Sequence, residues 1–225
     1  LAVNSNTSGM ILAMEACGVK EGTAVITTPY TFVSIAACAR HLNADVYFAD
    51  VEKDSYNIDP DKIEEILKKD AEGEKKIVAI VPVHIAGNVC KMKRILELAE
   101  KYSEAGRKIR VIEDAAHSFP SPTGLGYAGT IGDAGVFSFY VTKTITTAEG
   151  GMVCTRDPEL ARRMTVMRLH GMDRTTWDRY TSPRASWEYD IIAPGYKFNL
   201  PDVLAAIGSC QVDRAQLFYE QRKGI

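Results

Sequence analysis

The sequence has no long hydrophobic run and no excess of charge of either sign. No apolar stretch approaches the ~18 residues that a membrane-spanning helix needs, and no charged leader precedes a signal-like segment. Its 27 Lys and Arg residues nearly balance its 29 Asp and Glu residues, which gives a formal net charge of −2. The basic residues are scattered among acidic ones and create no field that would attract nucleic acid. We therefore expect neither a membrane nor a nucleic-acid partner.

Paired cysteines are also missing. The five cysteines are odd in number, lie far apart and form no C-x-x-C pair: Cys17, Cys38, Cys90, Cys154 and Cys210. This pattern is typical of reduced thiols in a protein core rather than of a disulfide framework. The sequence therefore predicts a soluble cytoplasmic protein, and we expect no metal site in it.

The remaining composition is that of an ordinary folded domain. With 225 residues, 46% of them hydrophobic and 25% charged, the chain can bury a core of normal size. Short β-branched runs at 24–28, 45–49, 77–83 and 110–112 alternate with helical patterns. This order predicts a three-layer α/β/α fold around a mainly parallel sheet. In such sheets the ligand binds at the carboxyl ends of the strands.

Helix signals are clearest in the middle and at the end of the chain. Apolar residues repeat at helical spacing between Met92 and Tyr102, and the segment 59–70 opens with Asp-Pro, a common helix start. A last helix is predicted to begin near Pro201. One stripe of this helix is expected to carry Val203, Ala206, Ile207, Cys210, Arg214 and Leu217.

The segment GLGYAG (124–129) matches the glycine fingerprint of dinucleotide-binding proteins. That fingerprint indicates a dinucleotide site only where it directly follows a strand and begins a helix. Here it follows Pro-Ser-Pro-Thr and runs into Thr-Ile-Gly-Asp, which predicts a loop on both sides. We therefore expect no dinucleotide site.

Three other segments carry polar groups that suit a ligand. The turn VNSNTSGM (3–10) leads into a helix predicted at 10–17, and its N–H and hydroxyl groups would suit a phosphate, although many helices begin with Ser or Thr. The strand in IRVIEDAAHS (109–118) ends in an acid, Asp114, which either faces a ligand or caps a helix.

The third segment is FSFYVTKTITTAEGGMV (137–153). Two β-rich pieces, 136–140 and 151–155, flank a polar turn that carries Lys143, and Ser138 stands five residues before this lysine. A phosphate-binding turn, an acid at a strand end and a lysine with a nearby serine are together the parts of a pyridoxal phosphate site.

These residues resemble the DegT/StrS-type nucleotide-sugar aminotransferases, which belong to the fold-type I pyridoxal phosphate enzymes. Six segments follow the order of that family: VNSNTSGM, TPYTFVS, PVHIAG, EDAAHS, FSFYVTKTITTAEGGMV and APGYKFNLPDVLAAIG. Within the family, the sequence is most like the UDP-4-amino-4-deoxy-L-arabinose aminotransferases and related enzymes of 4-ketosugars.

The resemblance implies roles for three residues near the cofactor ring. Lys143 would hold pyridoxal 5'-phosphate covalently and then move the proton during the reaction. Asp114 would pair with the pyridine nitrogen and keep it protonated. His117 would pack near the ring and its phenolic oxygen, although a purely structural histidine is nearly as good an interpretation.

The resemblance also assigns the phosphate and the stacking contacts. Thr7, Ser8 and Ser138 would hold the phosphate, and Phe32 or Tyr30 would stack on the ring, unless these aromatics belong to the core. Homodimers of this family place their active sites at the subunit interface.

Two positions depart from the family pattern. In many members G-Y-N places an asparagine in the partner's phosphate site, whereas Lys197 stands there in GYKFN, so either Lys197 or Asn199 would make that contact. Asn6 stands where many relatives have Gly or Ala, and the turn can tolerate it because Asn adopts unusual backbone angles.

The reaction implied is transfer of an amino group from an amino acid, L-glutamate by family habit, to a nucleotide-linked 4-ketosugar in cell-surface glycan synthesis. Two alternatives stay open: a pyridoxal phosphate-dependent sugar dehydratase, whose relatives carry histidine at the lysine position, and a non-catalytic regulator on the same fold. Family chains are longer. We therefore expect 1–225 to be the large cofactor domain of a fragment that lacks N-terminal residues and a small C-terminal domain.

The segment 172–192 has no clear periodicity and is expected to form a long ordered excursion. It could contact the diphosphate or the sugar of the substrate, although surface salt bridges are the more usual role of such arginines. The residues in question are Arg174, Arg179, Arg184, Trp177 and Trp187.

Overall fold

Seven short strands form one twisted sheet in the computed structural model, which describes residues 1–74, 76–173 and 188–224. In spatial order the sheet reads β1-β9-β8-β5-β4-β2-β3, and two further strands, β6 and β7, form a separate hairpin. The strands are β1 (Ala2–Val3), β2 (Ala24–Thr27), β3 (Asp45–Phe48), β4 (Ile77–Ile80), β5 (Arg110–Asp114), β6 (Pro122–Thr123), β7 (Gly126–Tyr127), β8 (Ala134–Ser138) and β9 (Gly151–Cys154).

The centre of the sheet is parallel and one edge is antiparallel. Strands β3, β2, β4, β5 and β8 pair in parallel, whereas β9 pairs antiparallel with both β8 and β1. Parallel neighbours need crossover connections; helices supply them from β2 to β5, and the segment 115–133 with the β6–β7 hairpin supplies the one from β5 to β8. The carboxyl ends of the parallel strands therefore meet at one edge, as the strand–helix alternation predicts.

Helices cover both faces of the sheet. Helices α1, α2 and α5 share one apolar cluster with the strands, and α3 and α4 share the other. The alternating strand residues Val25 and Ile26 belong to opposite clusters, because successive side chains of a strand point to opposite faces. The helices are α1 (Asn6–Ala16), α2 (Ser34–His41), α3 (Pro60–Glu72), α4 (Met92–Tyr102), α5 (Pro158–Arg168), α6 (Asp202–Val212) and α7 (Ala215–Lys223). The predicted three-layer α/β/α fold is confirmed.

Several predicted boundaries shift. Helix α1 begins at Asn6 rather than residue 10, because Ser5 caps it by accepting a hydrogen bond from the Ser8 amide. The strand predicted at 110–112 runs on to Asp114, since Glu113 and Asp114 still pair with β8. The strand predicted at 77–83 ends at Ile80, although Val83 forms an isolated bridge with Asp114.

The end of the chain differs more from its prediction. One helix was expected from Pro201, but α6 ends at Val212 and a separate helix, α7, begins at Ala215. None of the residues of α6 is buried, and Val203 is 75% exposed. The predicted stripe is therefore divided between two helices, and the side chains of α6 are uncovered in this chain.

The glycine-rich segment and the cysteines also have clear structures. GLGYAG takes part in the β6–β7 hairpin, not in a strand-to-helix turn. All five cysteines are free thiols; Cys17, Cys38 and Cys90 are buried, and burial raises the pKa of each to about 12. The prediction of core thiols is wrong for Cys210, which is exposed on α6.

Two features are absent from the described ranges. Within 1–74, 76–173 and 188–224, no helix has both the length and the apolar character that a membrane crossing requires. The same ranges hold no group of three or more His, Cys, Asp or Glu side chains able to bind a metal ion.

Candidate active site

A cavity of about 510 Å³ lies at the carboxyl ends of β5 and β8, beside the N-terminus of α1. It adjoins a more open cavity of about 580 Å³, and Phe32, His117 and Lys143 line both. Polar residues from four separate segments converge on the inner cavity: Ser5, Asn6, Thr7, Thr31, Ser34, Asp114, His117, Ser138, Thr142, Lys143 and Glu149. This convergence makes it the candidate active site.

Asp114 is fixed at the end of β5 and is only 5% exposed. Its backbone N–H donates to Pro82 O at 2.9 Å, and its carbonyl accepts from the His84 N–H at 3.1 Å. Its Oδ1 accepts hydrogen bonds from the Ala116 N–H (3.0 Å) and from Asn6 Nδ2 (3.3 Å). Asp114 therefore closes a turn after β5 rather than capping a helix.

Burial dominates the electrostatics of this carboxylate. It raises the pKa of Asp114 above its ordinary value, although the bonds from Ala116 and Asn6 and the nearby histidines act in the opposite direction. Both hydrogen bonds reach the same oxygen, Oδ1. A cationic N–H donor at Oδ2 would supply the partner that a buried carboxylate requires.

Lys143 lies in the turn between β8 and β9, where its backbone N–H donates to Tyr140 O at 2.9 Å. Partial burial lowers the pKa of its amine, against the opposing effect of Asp114. A lowered pKa increases the fraction of neutral amine, which is the nucleophilic and basic form. Lys143 and Asp114 thus line one cavity, although 29 residues separate them in sequence.

His117 lies at the rim of this cavity. Its Nδ1 accepts a hydrogen bond from the Ala86 N–H at 3.3 Å, which leaves Nε2 to carry the hydrogen. Partial desolvation and the nearby Lys143 amine lower the pKa of His117, while Asp114 acts to raise it. A neutral ring that can donate through Nε2 follows from this geometry.

The other end of the cavity is built around the start of α1. The first N–H groups of a helix have no intrahelical partner and carry the positive end of its dipole, so they suit a phosphate. Ser5 and Thr7 line the cavity here, and Ser138 reaches it from the end of β8. Ser8 does not line it, because its hydroxyl lies 2.9 Å from Ser5 Oγ within the cap.

Glycine holds this turn close to the sheet. A Cβ at Gly151, the first residue of β9, would come within 2.8 Å of the Asn6 backbone nitrogen and within 2.7 Å of the Ser5 carbonyl carbon. Such distances leave no room for a side chain. The Glu-Gly-Gly sequence after the lysine loop therefore lets β9 and the start of α1 approach each other.

Two aromatic residues stand near the opening. Phe32 is 76% exposed and lines both cavities, as a ring meant to stack on a ligand would be. Tyr30 instead packs against Tyr56, with ring centroids 5.3 Å apart, and lines only the outer cavity. Neither aromatic is a core residue.

Comparison with known proteins decides the family. The model of the DegT/DnrJ/EryC1/StrS aminotransferase family matches residues 1–225, the whole chain. The chain belongs to this aminotransferase family. It is 41% identical over 225 residues to the spore coat polysaccharide biosynthesis protein SpsC of Bacillus subtilis, covering 100% of this chain and 55% of SpsC. The chain thus spans about half the length of that curated relative.

Solved structures of family members have the same fold. Spr1654 from Streptococcus pneumoniae in its PMP form superposes with a TM-score of 0.86 at 29% identity, covering 100% of this chain and 58% of that one. The same protein is known in a PLP form, with a TM-score of 0.84 at 28% identity. PseC of Helicobacter pylori, an aminotransferase involved in the biosynthesis of pseudoaminic acid, gives 0.81 at 29% identity, covering 96% and 53%.

The two residues expected to serve a partner subunit lie away from this chain's cavity. Lys197 bridges Leu169, and Asn199 bridges Val3 at the β1 edge of the sheet. Neither lines the cavity described above. The arginines and tryptophans expected to contact the substrate (Arg174, Arg179, Arg184, Trp177 and Trp187) lie outside the described residues.

A buried pair of residues beside the site, Glu113 and His84, was not predicted from the sequence. The Glu113 carboxylate accepts from His84 Nε2 at 2.9 Å and from the N–H groups of Gly129, Ile131 and Gly132 at 2.7–2.9 Å. His84 Nδ1 accepts from the Cys90 N–H, so Nε2 carries the hydrogen. An acid directly beside Asp114 on a strand must face the other side of the sheet, and that alternation was the available signal.

Proposed function

We propose that this protein is a pyridoxal phosphate-dependent aminotransferase that moves an amino group from an amino acid, L-glutamate, to a nucleotide-linked 4-ketosugar. The observation that carries the proposal is the shared cavity: the amine of Lys143 and the buried carboxylate of Asp114 line it together with the N-terminus of α1. Those three groups match a carbonyl, a pyridine nitrogen and a phosphate on one molecule.

The residues fit this cofactor. Asp114 is a buried acid; within the described residues, both hydrogen bonds to its carboxylate go to Oδ1, so a protonated ring nitrogen at Oδ2 would complete it. Ser5, Thr7 and Ser138 surround a helix N-terminus that can hold a phosphate dianion. When bound, the cofactor supplies an electron sink for the electrons released at the substrate carbon.

Asp114 makes that sink effective. An opposite charge at ~4 Å is worth up to about 4 kcal/mol at an effective dielectric of ~20, or nearly three pKa units at ~1.36 kcal/mol each. The cofactor ring would in turn stabilise the ionised form of Asp114, whose pKa burial otherwise raises. Lys143 would take and return the proton at Nζ, a role that its lowered pKa favours.

Family likeness supports the sugar substrate. SpsC is named for polysaccharide biosynthesis and PseC for pseudoaminic acid biosynthesis, which favours an aminotransferase of cell-surface glycan precursors. The finer assignment, to the UDP-4-amino-4-deoxy-L-arabinose branch, rests on sequence motifs such as GYKFN. A homodimer, in which Lys197 or Asn199 reaches the partner's phosphate site, is part of the same proposal.

The test is incubation of the full-length protein with glutamate and a panel of nucleotide-linked ketosugars, with products identified by mass spectrometry. We expect one sugar to gain an amino group, 2-oxoglutarate to form, and borohydride to trap the cofactor on Lys143. Lys143→Ala should abolish product and trapping. A product sugar that has lost an oxygen but gained no amino group would indicate a sugar dehydratase. Absence of both trapping and turnover would refute the proposal and favour the non-catalytic regulator.

A further inference from the structure

The side chain of Asn6 is buried between α1 and two strands of the sheet. It is only 9% exposed, although it occupies the first position of a helix, where polar side chains are usually solvated. Its Nδ2 lies 3.1 Å from Val136 O on β8 and 3.3 Å from Asp114 Oδ1 at the end of β5. One amide group thus ties the start of α1 to two neighbouring strands.

The two partners determine how this amide is oriented. A backbone carbonyl oxygen and a carboxylate oxygen are both acceptors, so the NH₂ group and not Oδ1 must face them. Each of its two hydrogens has one acceptor. The side chain is therefore fixed in a single orientation, with no freedom to leave Asp114 without breaking the bond to Val136.

Asn6 supplies the only side-chain hydrogen bond to Asp114 within the described residues. The other donor, the Ala116 N–H, belongs to the backbone and would survive any substitution. The titratable groups that act on Asp114, or on which it acts, are His84, His117, Lys143 and Cys38. Glu113 faces the opposite side of the sheet, toward His84 and the loop before β8.

We propose that Asn6 is a positioning residue of the cofactor site: by binding Asp114 Oδ1 and Val136 O together, it fixes the carboxylate and leaves Oδ2 for the ring nitrogen. This inference rests on the proposed function. Asn6 belongs to the turn proposed to bind the phosphate, but it would act at the opposite end of the cofactor, the ring nitrogen. One short segment, Ser5 to Thr7, would then serve both ends of the same ligand.

A first experiment needs no cofactor. The Asp114 carboxyl is titrated in the cofactor-free full-length protein by infrared difference spectroscopy, and its band is assigned by its loss in Asp114→Asn. Asn6→Ala should move the titration upward by about one to two pH units, since a hydrogen bond to a charged group is worth ~1.5–3 kcal/mol. Asn4→Ala, in the same turn but bonded to Lys197 O, should not move it.

An isosteric variant separates donation from packing. Asn6→Leu keeps the branched shape and nearly the volume but has neither a donor nor a charge, so it should move the Asp114 titration upward about as far as Asn6→Ala does. If Asn6 only fills space, Asp114 should titrate in Asn6→Leu as it does in the wild type, and the inference would be overturned. Because Asn6→Leu fills nearly the same space, it also serves if Asn6→Ala does not fold.

A second experiment measures pyridoxal phosphate binding by absorbance titration. Asn6→Ala should bind about tenfold more weakly than the wild type, the effect of ~1.4 kcal/mol. If the wild type binds the cofactor at Lys143 but Asn6→Ala binds and titrates identically, the proposed function stands and the inference fails. If the wild type forms no adduct at Lys143, the proposed function fails and the role toward the ring nitrogen fails with it.

Discussion

Glu113 and Asp114 are adjacent acids with different environments. Asp114 faces the cavity, where burial raises its pKa. Glu113 faces the opposite side of β5; burial acts to raise its pKa too, but the hydrogen bonds from His84, Gly132 and Gly129 outweigh it and hold the pKa below its ordinary value. The pair shows how strand alternation gives two neighbouring carboxylates opposite properties.

Glu113→Gln should lower the free energy of unfolding by about 2–4 kcal/mol, because the amide presents an NH₂ group to N–H donors and loses hydrogen bonds to a charged acceptor that are worth ~1.5–3 kcal/mol each. A carboxyl group whose pKa is lower in the folded than in the unfolded protein stabilises the fold at pH values above its unfolded pKa, ~4.3 for Glu. This stabilisation is lost as the pH falls through the pKa of the folded state. The difference between wild type and variant should therefore shrink in acid. Urea unfolding between pH 3 and 7 measures it, with the exposed Glu100→Gln as control; a difference that does not depend on pH would contradict this account.

Lys143 and Asp114 were predicted from the sequence through their motifs, FSFYVTKTITTAEGGMV and EDAAHS, and through the family resemblance of those motifs. The sequence did not show which serine of the turn faces the cavity. Ser5 and Ser8 are both in the turn, but the helix starts four residues earlier than predicted, so Ser8 turns into the cap and Ser5 toward the cavity. A helix rotates by about 100° per residue, so a small error in its start changes which side chain faces the ligand.

At the scale of elements, the start of α1 serves both stability and binding. Ser5→Ala removes the cap and should lower the free energy of unfolding by about 0.5–2 kcal/mol. It should also weaken binding of pyridoxal phosphate more than binding of pyridoxal, since only the former carries the phosphate. Calorimetry and absorbance titration measure the two effects.

The matched control is Asp59→Ala. Asp59 caps α3 by accepting from the Asp61 N–H, away from the cavity. It should cost a similar free energy of unfolding and leave the preference for pyridoxal phosphate over pyridoxal unchanged. Equal effects of the two variants on that preference would mean that the α1 cap does not contribute to the phosphate site.

At the scale of the whole molecule, α6 and α7 carry apolar side chains that this chain leaves uncovered. Val203 is 75% exposed and Leu217 is 53% exposed. Asn199, one of the two residues proposed to cross between subunits, lies shortly before α6 in the sequence and bridges Val3 at the edge of the sheet. An uncovered apolar stripe beside such residues fits the proposed homodimer.

Val203→Arg should weaken that dimer. A charge placed in an apolar interface loses its hydration without gaining a partner, so the dissociation constant should rise tenfold or more. Light scattering over a dilution series of the full-length protein measures it. Tyr47→Arg, at the exposed β3 edge on the far side of the sheet, is the control. A dimer equally stable in the wild type and Val203→Arg would place the interface elsewhere.

The sequence by itself determined the order of strands and helices, the α/β class and the chemical groups at the strand ends, because residue periodicity and turn chemistry are local properties. Tertiary structure decided which groups meet. Asn6 reaches Asp114 across 108 residues, and His84 reaches Glu113 across 29. Such contacts depend on strand order and on the rotation of each helix against the sheet, and these are set by packing of the whole core.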